Sequence, residues 1–122
     1  MKICIAQIKT FPTRLEENAR KIEDYIGRAD ARGFELVVFP ELALPGYACL
    51  DVFRDPAFIE ANLAALAALV SFSKGKKAAS IVGFVDRSSD GKSLYNSAAV
   101  IQDGRIIQTV DKTLLPDYDI FW

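Results

Sequence analysis

The 122 residues of this chain include no histidine. This absence excludes serine–histidine–aspartate and cysteine–histidine nucleophilic sites built from these residues alone, and it removes the commonest zinc ligand. Proton transfer must therefore be carried out by carboxylates, lysine, tyrosine or cysteine. The two cysteines, Cys4 and Cys49, are too few for a disulfide framework and do not have the spacing of a metal or redox motif, so we expect a reducing, cytoplasmic setting.

Long apolar runs and clustered positive charge are also missing. The longest apolar run, residues 61–70, is interrupted by Asn62 and has about half the length that a membrane-spanning helix needs. Residues 1–9 are too polar, at Gln7 and Lys9, for a secretory signal. The formal net charge is −1, and Lys and Arg are interspersed with Asp and Glu. We therefore expect neither a membrane segment nor a nucleic-acid partner.

Hydrophobic residues make up 51% of the chain, which is enough for one domain with one core, spanning residues 1–122. The first part has the pattern of a strand–helix–strand unit with parallel strands, with strands over 2–9 and 35–39. The first strand is apolar on both faces, which predicts a central position in the sheet. Thr13 and Glu16 have the spacing of a helix capping box, and Gly33 is a plausible residue to follow the helix.

The second part predicts one more helix and an antiparallel hairpin. Asp55 is expected to cap a helix over 56–74, which is apolar nearly all round in its middle. The turn dipeptide Asp103-Gly104 is typical of a two-residue hairpin. The predicted strands of this part are 78–85, 95–102 and 105–110. We therefore predict an α/β fold with a mixed sheet.

Two ionisable side chains stand where apolar extended runs end. Glu41 follows the strand 35–39, and Lys112 follows the last strand of the hairpin. Strand ends are where reacting groups collect in open α/β sheets, so Glu41 is a candidate general base and Lys112 a candidate for stabilising an oxyanion. The alternative interpretation is a solvated carboxylate and a surface lysine. For Cys49, we interpret the residue as loop packing instead of as a nucleophile.

The segments that carry these residues resemble a known family. Residues 37–47 read V-V-F-P-E-L-A-L-P-G-Y, and residues 112–121 read K-T-L-L-P-D-Y-D-I-F. They are similar to the nitrilase, or carbon–nitrogen hydrolase, superfamily, which uses a Glu-Lys-Cys triad. The resemblance implies that Glu41 is the general base and Lys112 the second member. It also implies that the cysteine lies some tens of residues beyond Lys112, and that the chain is the N-terminal half of an α-β-β-α sandwich with helices on one face of its sheet.

Softer similarity in residues 51–63, 83–87 and 94–105 points to one subfamily, the amidase domains of glutamine-dependent NAD synthetases. This resemblance implies hydrolysis of glutamine to glutamate and ammonia, which a separate domain uses to amidate deamido-NAD. Tyr47 and Tyr118 correspond to positions near the glutamine pocket, and Phe121 to a residue that lines it. No cofactor is expected in this chain, because ATP and Mg²⁺ would belong to the synthetase domain.

Three alternatives follow from these observations. The first is the glutamine amidase, with these residues inactive on their own because they lack the triad's cysteine. The second is a stand-alone amidase of the same superfamily that acts on another small amide or carbamoyl compound. The third is a non-catalytic α/β module that serves association. Half of a two-sheet sandwich would leave an apolar sheet face uncovered, so we also expect a homo-oligomer.

Overall fold

Two parallel strand pairs and an antiparallel hairpin build the sheet. The computed structural model describes residues 1–47 and 50–112. The described elements are β1 (Ile3–Ile5), α1 (Leu15–Ala31), β2 (Leu36–Val38), a 3₁₀ helix (Leu50–Arg54), α2 (Pro56–Phe72), β3 (Ala79–Arg87), β4 (Leu94–Gln102) and β5 (Arg105–Asp111). The strands and the two α-helices follow the predicted order, whereas the 3₁₀ helix was not predicted.

The sheet has the strand order β1-β2-β3-β4-β5. β1 pairs with β2 and β2 with β3 in parallel, whereas β4 is antiparallel to both β3 and β5. The predicted strand–helix–strand unit and the mixed sheet are therefore confirmed. The central position predicted for the first strand is wrong, because β1 forms one edge of the described sheet and exposes Ile3 by 46% and Ile5 by 64%.

The ends of α1 differ in how well the sequence predicted them. The capping box is wrong: the helix is preceded by Arg14, which makes no side-chain capping bond, and Thr13 has a positive φ of 68°. The other end is as predicted, with Gly33 at a φ of +78°. Phe34 N–H donates to Ala29 O at 3.0 Å, which is the bond that closes a Schellman motif.

The second helix, α2, begins as predicted. The Asp55 carboxylate accepts a hydrogen bond of 3.0 Å from Ala57 N–H, and Pro56 occupies the first helical position, where its missing N–H costs nothing. Neither α2 nor any other helix in the described part of the chain is long and apolar enough to cross a membrane.

Both helices pack on one face of the sheet, as predicted. The core between them contains alternate residues of the strands together with one stripe from each helix, and the burial of these apolar side chains is the main contribution to stability. Its buried members on the helices are Ile22, Ile26 and Ala29 of α1 and Leu66 and Leu69 of α2, and those on the strands include Val37, Val82, Phe84, Ala99 and Ile101.

The β4–β5 hairpin has the predicted two-residue turn. Asp103 and Gly104 have φ values of 47° and 76°, and two positive φ values are the mark of a type I′ turn. The Asp103 carboxylate also accepts from Gly75 N–H at 2.8 Å, which ties the turn to the end of α2. The pairing of the two strands is shifted by an irregularity between Val100 and Ile101. This β-bulge was not predicted, and it determines which residue at the end of β5 lies next to Asn96 of β4.

Candidate active site

Glu41 lies in the loop of residues 40–46, which we call the glutamate loop. This loop continues along the edge of β3 after β2 has ended. Phe39 N–H donates to Ile81 O at 3.1 Å, and Leu44 N–H donates to Gly83 O at 3.0 Å. Glu41 is therefore carried by a short excursion whose two ends are bonded to the same strand.

A buried asparagine on α1 holds the loop from the helix side. The Asn18 side chain donates to Leu44 O at 3.0 Å, and it both donates to Phe11 O at 2.9 Å and accepts from Phe11 N–H at 3.0 Å. Asn18 and Leu44 are fully buried, so the bond to Leu44 O satisfies a backbone group in the interior. The glutamate loop, the segment before α1 and the helix itself are thereby joined.

Further along the same edge of β3, the side chain of a second buried asparagine forms the hydrogen bonds that a neighbouring strand would otherwise form. Asn62 of α2 donates to Val85 O at 2.6 Å and accepts from Val85 N–H at 3.2 Å. β2 has ended before this point, so an edge residue of β3 would otherwise leave its N–H and C=O unpaired in the interior. In the sequence, Asn62 is visible only as a polar residue that interrupts an apolar run, and this role was not predicted.

The backbone beside Glu41 is strained and closely packed. Leu42 adopts a φ of 51° although its side chain is buried, and this left-handed conformation costs on the order of 1 kcal/mol for a residue other than glycine. The loop also lies directly over Gly83, where a Cβ atom would come within 2.4 Å of Leu42 N. Glycine at position 83 is thus required by the approach of the loop.

Lys112 reaches Glu41 from the end of β5. Its backbone N–H donates to Asn96 O at 2.8 Å, which continues the β4–β5 pairing by one more bond. Its Nζ donates to Oε1 of Glu41 at 2.7 Å. The Asn96 side chain donates to the same Oε1 at 2.6 Å. The structure therefore brings together the carboxylate and the ammonium that the sequence predicted to be close, and adds an amide.

The ion pair contributes little to stability. The side chains of Glu41 and Lys112 are 38% and 37% exposed, and pairs that solvent screens to this extent contribute about 0–1 kcal/mol. A gain this small does not account for the strained loop and the close packing that place the carboxylate. Strain that persists because its surroundings enforce it is concentrated at functional sites. The arrangement is therefore a candidate active site, in which a carboxylate base and a fixed cation face the same space.

The remaining predicted residues are placed less fully. Tyr47 ends the turn-rich segment that carries Glu41 and is 37% exposed. Tyr118, Phe121 and Cys49 lie outside the described residues. Cys4 is a free thiol that packs against the core between the sheet and the helices. Among residues 1–47 and 50–112, no group of acidic or sulfur-containing side chains has the arrangement of a metal site.

Asn96 is the site residue that sequence reasoning missed. It belongs to a segment that supported the family resemblance, but no role was assigned to it. A regular two-residue hairpin would place Asp111 opposite Asn96, whereas the bulge in the β4–β5 pairing places Asp111 opposite Ser97 and brings Lys112 next to Asn96. A slip of one residue also moves a side chain to the other face of the sheet, so the bulge turns Lys112 toward Glu41.

Comparison with known proteins identifies the class. The carbon-nitrogen hydrolase family matches residues 2–120, and the chain belongs to this family. Among curated relatives, the glutamine-dependent NAD(+) synthetase of Thermotoga maritima is 32% identical over 99% of this chain and 20% of the relative. That of Synechocystis is 37% identical over 98% of the chain and 22% of the relative. The chain spans about a fifth of the length of these relatives.

Solved structures agree with this assignment. The glutamine-dependent NAD+ synthetase of Acinetobacter baumannii superimposes with a TM-score of 0.87 at 30% identity, over 95% of this chain and 21% of that chain. An amidase from Nesterenkonia sp. gives a TM-score of 0.86 at 21% identity, over 99% of this chain and 46% of that one. The second likeness shows the fold alone. The predicted α/β fold and the predicted family are confirmed.

Proposed function

We propose that this chain supplies Glu41 and Lys112 to a site that hydrolyses the side-chain amide of glutamine, and that residues 1–122 are part of one amidase domain. The observation that carries the proposal is the 2.7 Å contact between the Lys112 ammonium and the Glu41 carboxylate, held at the end of a rigid sheet. The relatives that cover nearly the whole chain are glutamine-dependent NAD(+) synthetases, which supports glutamine as the substrate.

The chemistry requires a thiol that this pair activates. Glu41 takes the proton of the thiol, whose sulfur attacks the amide carbon, and Lys112 stabilises the oxyanion that forms. The C–N bond then breaks as Glu41 returns the proton to the departing ammonia. Water, with Glu41 again as base, cleaves the thioester and releases glutamate. Cys4 packs into the core, and the sequence indicates that Cys49 is a loop-packing residue, so we propose that the thiol comes from residues beyond Lys112.

Substrate binding and ammonia use extend this proposal. Tyr47, Tyr118 and Phe121 would line the glutamine pocket. Ammonia would pass to a separate synthetase domain, where ATP and Mg²⁺ act and deamido-NAD is amidated.

The cytoplasmic location of the protein stays a prediction from the sequence.

The test is ammonia release from L-glutamine by the complete gene product that contains these 122 residues. Glu41→Gln removes the base but keeps the size of the side chain, and we expect the rate to fall about 10²–10⁴-fold. The control is Glu60→Gln. Glu60 is an exposed residue of α2 that forms an ion pair with Arg87, and its substitution should leave the rate unchanged. A wild-type protein that releases no ammonia contradicts the proposal and favours the non-catalytic association module.

A second candidate is a stand-alone amidase for another small amide. It remains open because the carbon-nitrogen hydrolase match does not specify which amide is cleaved. Butyramide is a suitable probe, since a mutant of the amidase from Nesterenkonia sp. AN1, which shares the fold, has been solved in complex with it. The two candidates separate in a comparison of kcat/KM for glutamine, butyramide and acrylamide. Preference for glutamine supports the first candidate, and preference for the simple amides overturns it.

We also propose that the described part of the chain self-associates through the sheet face opposite the helices. Ile3, Ile5 and Val110 are exposed by 46%, 64% and 51%, and the pairing register places them on this one face. Exposed apolar faces of this kind promote association. Light scattering of the 122-residue chain should give a dimer or larger species, and monomer alone in dilute buffer contradicts this part.

A further inference from the structure

Asn96 connects both halves of the candidate site. Its backbone C=O accepts from Lys112 N–H at 2.8 Å, and its side-chain amide donates to Glu41 Oε1 at 2.6 Å. The first bond would form with any residue at position 96, because it uses only the backbone. The second bond needs an amide or another short donor, so it is the part of the arrangement that depends on this side chain.

The two donors leave the Glu41 carboxylate asymmetric. Asn96 Nδ2 and Lys112 Nζ both donate to Oε1, and no described residue donates to Oε2. A carboxylate has about four lone-pair sites, two on each oxygen, so Oε1 is fully engaged while Oε2 remains able to accept a proton. The geometry thus distinguishes Oε1, which both donors hold, from Oε2, to which no described residue donates.

An amide is suited to such a role for a chemical reason. The Asn96 side chain donates a hydrogen bond but does not titrate, so it holds the carboxylate without competing for the proton that a base must take. It also stands on β4, which is hydrogen-bonded to β3 on one side and to β5 on the other. Glu41, in contrast, stands on a loop. Asn96 therefore transfers the rigidity of the sheet to the side chain of Glu41.

We propose that Asn96 is a positioning residue that fixes Glu41 through Oε1 and leaves Oε2 as the atom that accepts the proton. This proposal rests on the proposed amide hydrolysis. If the Asn96 side chain had a purely structural role, Asn96→Ala would lower only the stability of the protein. If Asn96 positions Glu41, the substitution also lowers the reaction rate, and it does so through Glu41 alone.

The first test measures steady-state kinetics of Asn96→Ala in the complete gene product. Because Asn96 is proposed to act by holding Glu41 and not by binding the substrate, we expect kcat to fall about 10- to 100-fold while KM stays within about threefold. Gln102→Ala is the matched control, since it removes one amide hydrogen bond of 2.9 Å, to Lys77 O, from the other end of the same strand. It should leave kcat unchanged. Equal kcat for Asn96→Ala and wild type overturns the proposal.

The second test asks whether Asn96 acts through Glu41. In a Glu41→Gln background the base is already absent, so adding Asn96→Ala should change the residual rate by less than about twofold. If the two losses multiply instead, Asn96 acts independently of Glu41 and the proposal is wrong. Rates are expressed per folded protein in each variant, because a loss of folded protein would lower the rate in both backgrounds and would otherwise be counted as independence from Glu41.

A third measurement does not depend on activity. In ¹⁵N NMR spectra of the 122-residue chain, Glu41→Ala should move the side-chain amide signals of Asn96 and leave those of Asn62, which bonds to Val85, nearly unchanged. An unmoved Asn96 signal shows that the contact is absent and overturns the proposal. If the signal moves but the wild-type gene product releases no ammonia, the proposed function fails while the contact stands. An active wild type with an unaffected Asn96→Ala contradicts only the role of Asn96.

Discussion

The two residues of the candidate site are carried by regions that are held in different ways. Lys112 follows the β4–β5 hairpin, residues 94–111, whose backbone ladder and type I′ turn are formed between neighbours in sequence. Glu41 is carried by the glutamate loop, which has no ladder of its own. The loop depends on one asparagine of α1, on a positive φ at Leu42 and on the space above Gly83.

Because of this difference, the site is more sensitive to substitutions around Glu41 than to substitutions around Lys112. A backbone ladder tolerates most side chains, because its hydrogen bonds are made by groups that every residue except proline has. The backbone bonds of the glutamate loop form no regular ladder, and its Leu44 O is bonded by the side chain of Asn18, 26 residues away in sequence. Substitutions around the loop should therefore displace Glu41, whereas equivalent losses in the hairpin should leave Lys112 in place.

The largest effect is expected from Gly83→Ala. The new Cβ would lie 2.4 Å from Leu42 N and 2.8 Å from Pro40 O, and both are backbone atoms that cannot turn aside. The glutamate loop must then shift, and we expect the free energy of unfolding to fall by about 3 kcal/mol or more. Urea unfolding of the 122-residue chain measures this loss.

The control for that substitution is Gly27→Ala, at a helical position in α1. A Cβ there meets Phe72 Cζ at 3.9 Å, which is ordinary van der Waals contact. Since alanine is the better helix former, the free energy of unfolding should rise by about 0.5–1 kcal/mol. The two glycine substitutions thus have opposite expected signs. If Gly83→Ala is as well tolerated as Gly27→Ala, the loop is not held by close approach and the comparison fails.

The sequence predicted the local features of both regions better than the contacts between them. The Asp103-Gly104 turn, the Asp55 cap and the glycine after α1 were predicted correctly, because each depends on the conformational preferences of one or two residues. The capping box at Thr13 was wrong. The segment before α1 is instead bonded to the glutamate loop, with Thr13 N–H donating to Pro45 O at 2.9 Å, and this tertiary contact overrides the local preference.

Three asparagines explain why the site was only partly predicted. Asn18 and Asn62 stand on helices, where a polar residue is ordinarily read as solvent-exposed, yet both are fully buried and pair with backbone groups of other elements. Asn96 depends on the β-bulge at Val100, which the turn dipeptide does not reveal. The positions of Glu41 and Lys112 at strand ends could be read from apolar patterns, but the residues that orient them could not.

A smaller effect is expected from Asn18→Ala, which tests the dependence of the loop on one side chain directly. The substitution removes three hydrogen bonds and leaves Leu44 O and Phe11 N–H without this partner, whereas Phe11 O keeps the bond that it accepts from Arg14 N–H at 3.2 Å. Because buried unsatisfied groups are costly, and because water can enter the small space that is left, we expect a loss of about 2–3 kcal/mol in the free energy of unfolding. Urea unfolding measures it, and the Asn96 side-chain NMR signal should shift as Glu41 moves.

The matched substitution in the hairpin is Gln102→Ala, which removes the single amide bond to Lys77 O. Gln102 is partly exposed, so water replaces its partner and the expected loss is only about 0.5 kcal/mol, with the Asn96 signal unmoved. If the two amide deletions cost the same, or if the Asn96 signal moves in both, the glutamate loop is no more dependent on side chains than the hairpin. A large loss confined to Asn18→Ala would instead locate the weak point of the site in the contact between α1 and the loop that carries its carboxylate.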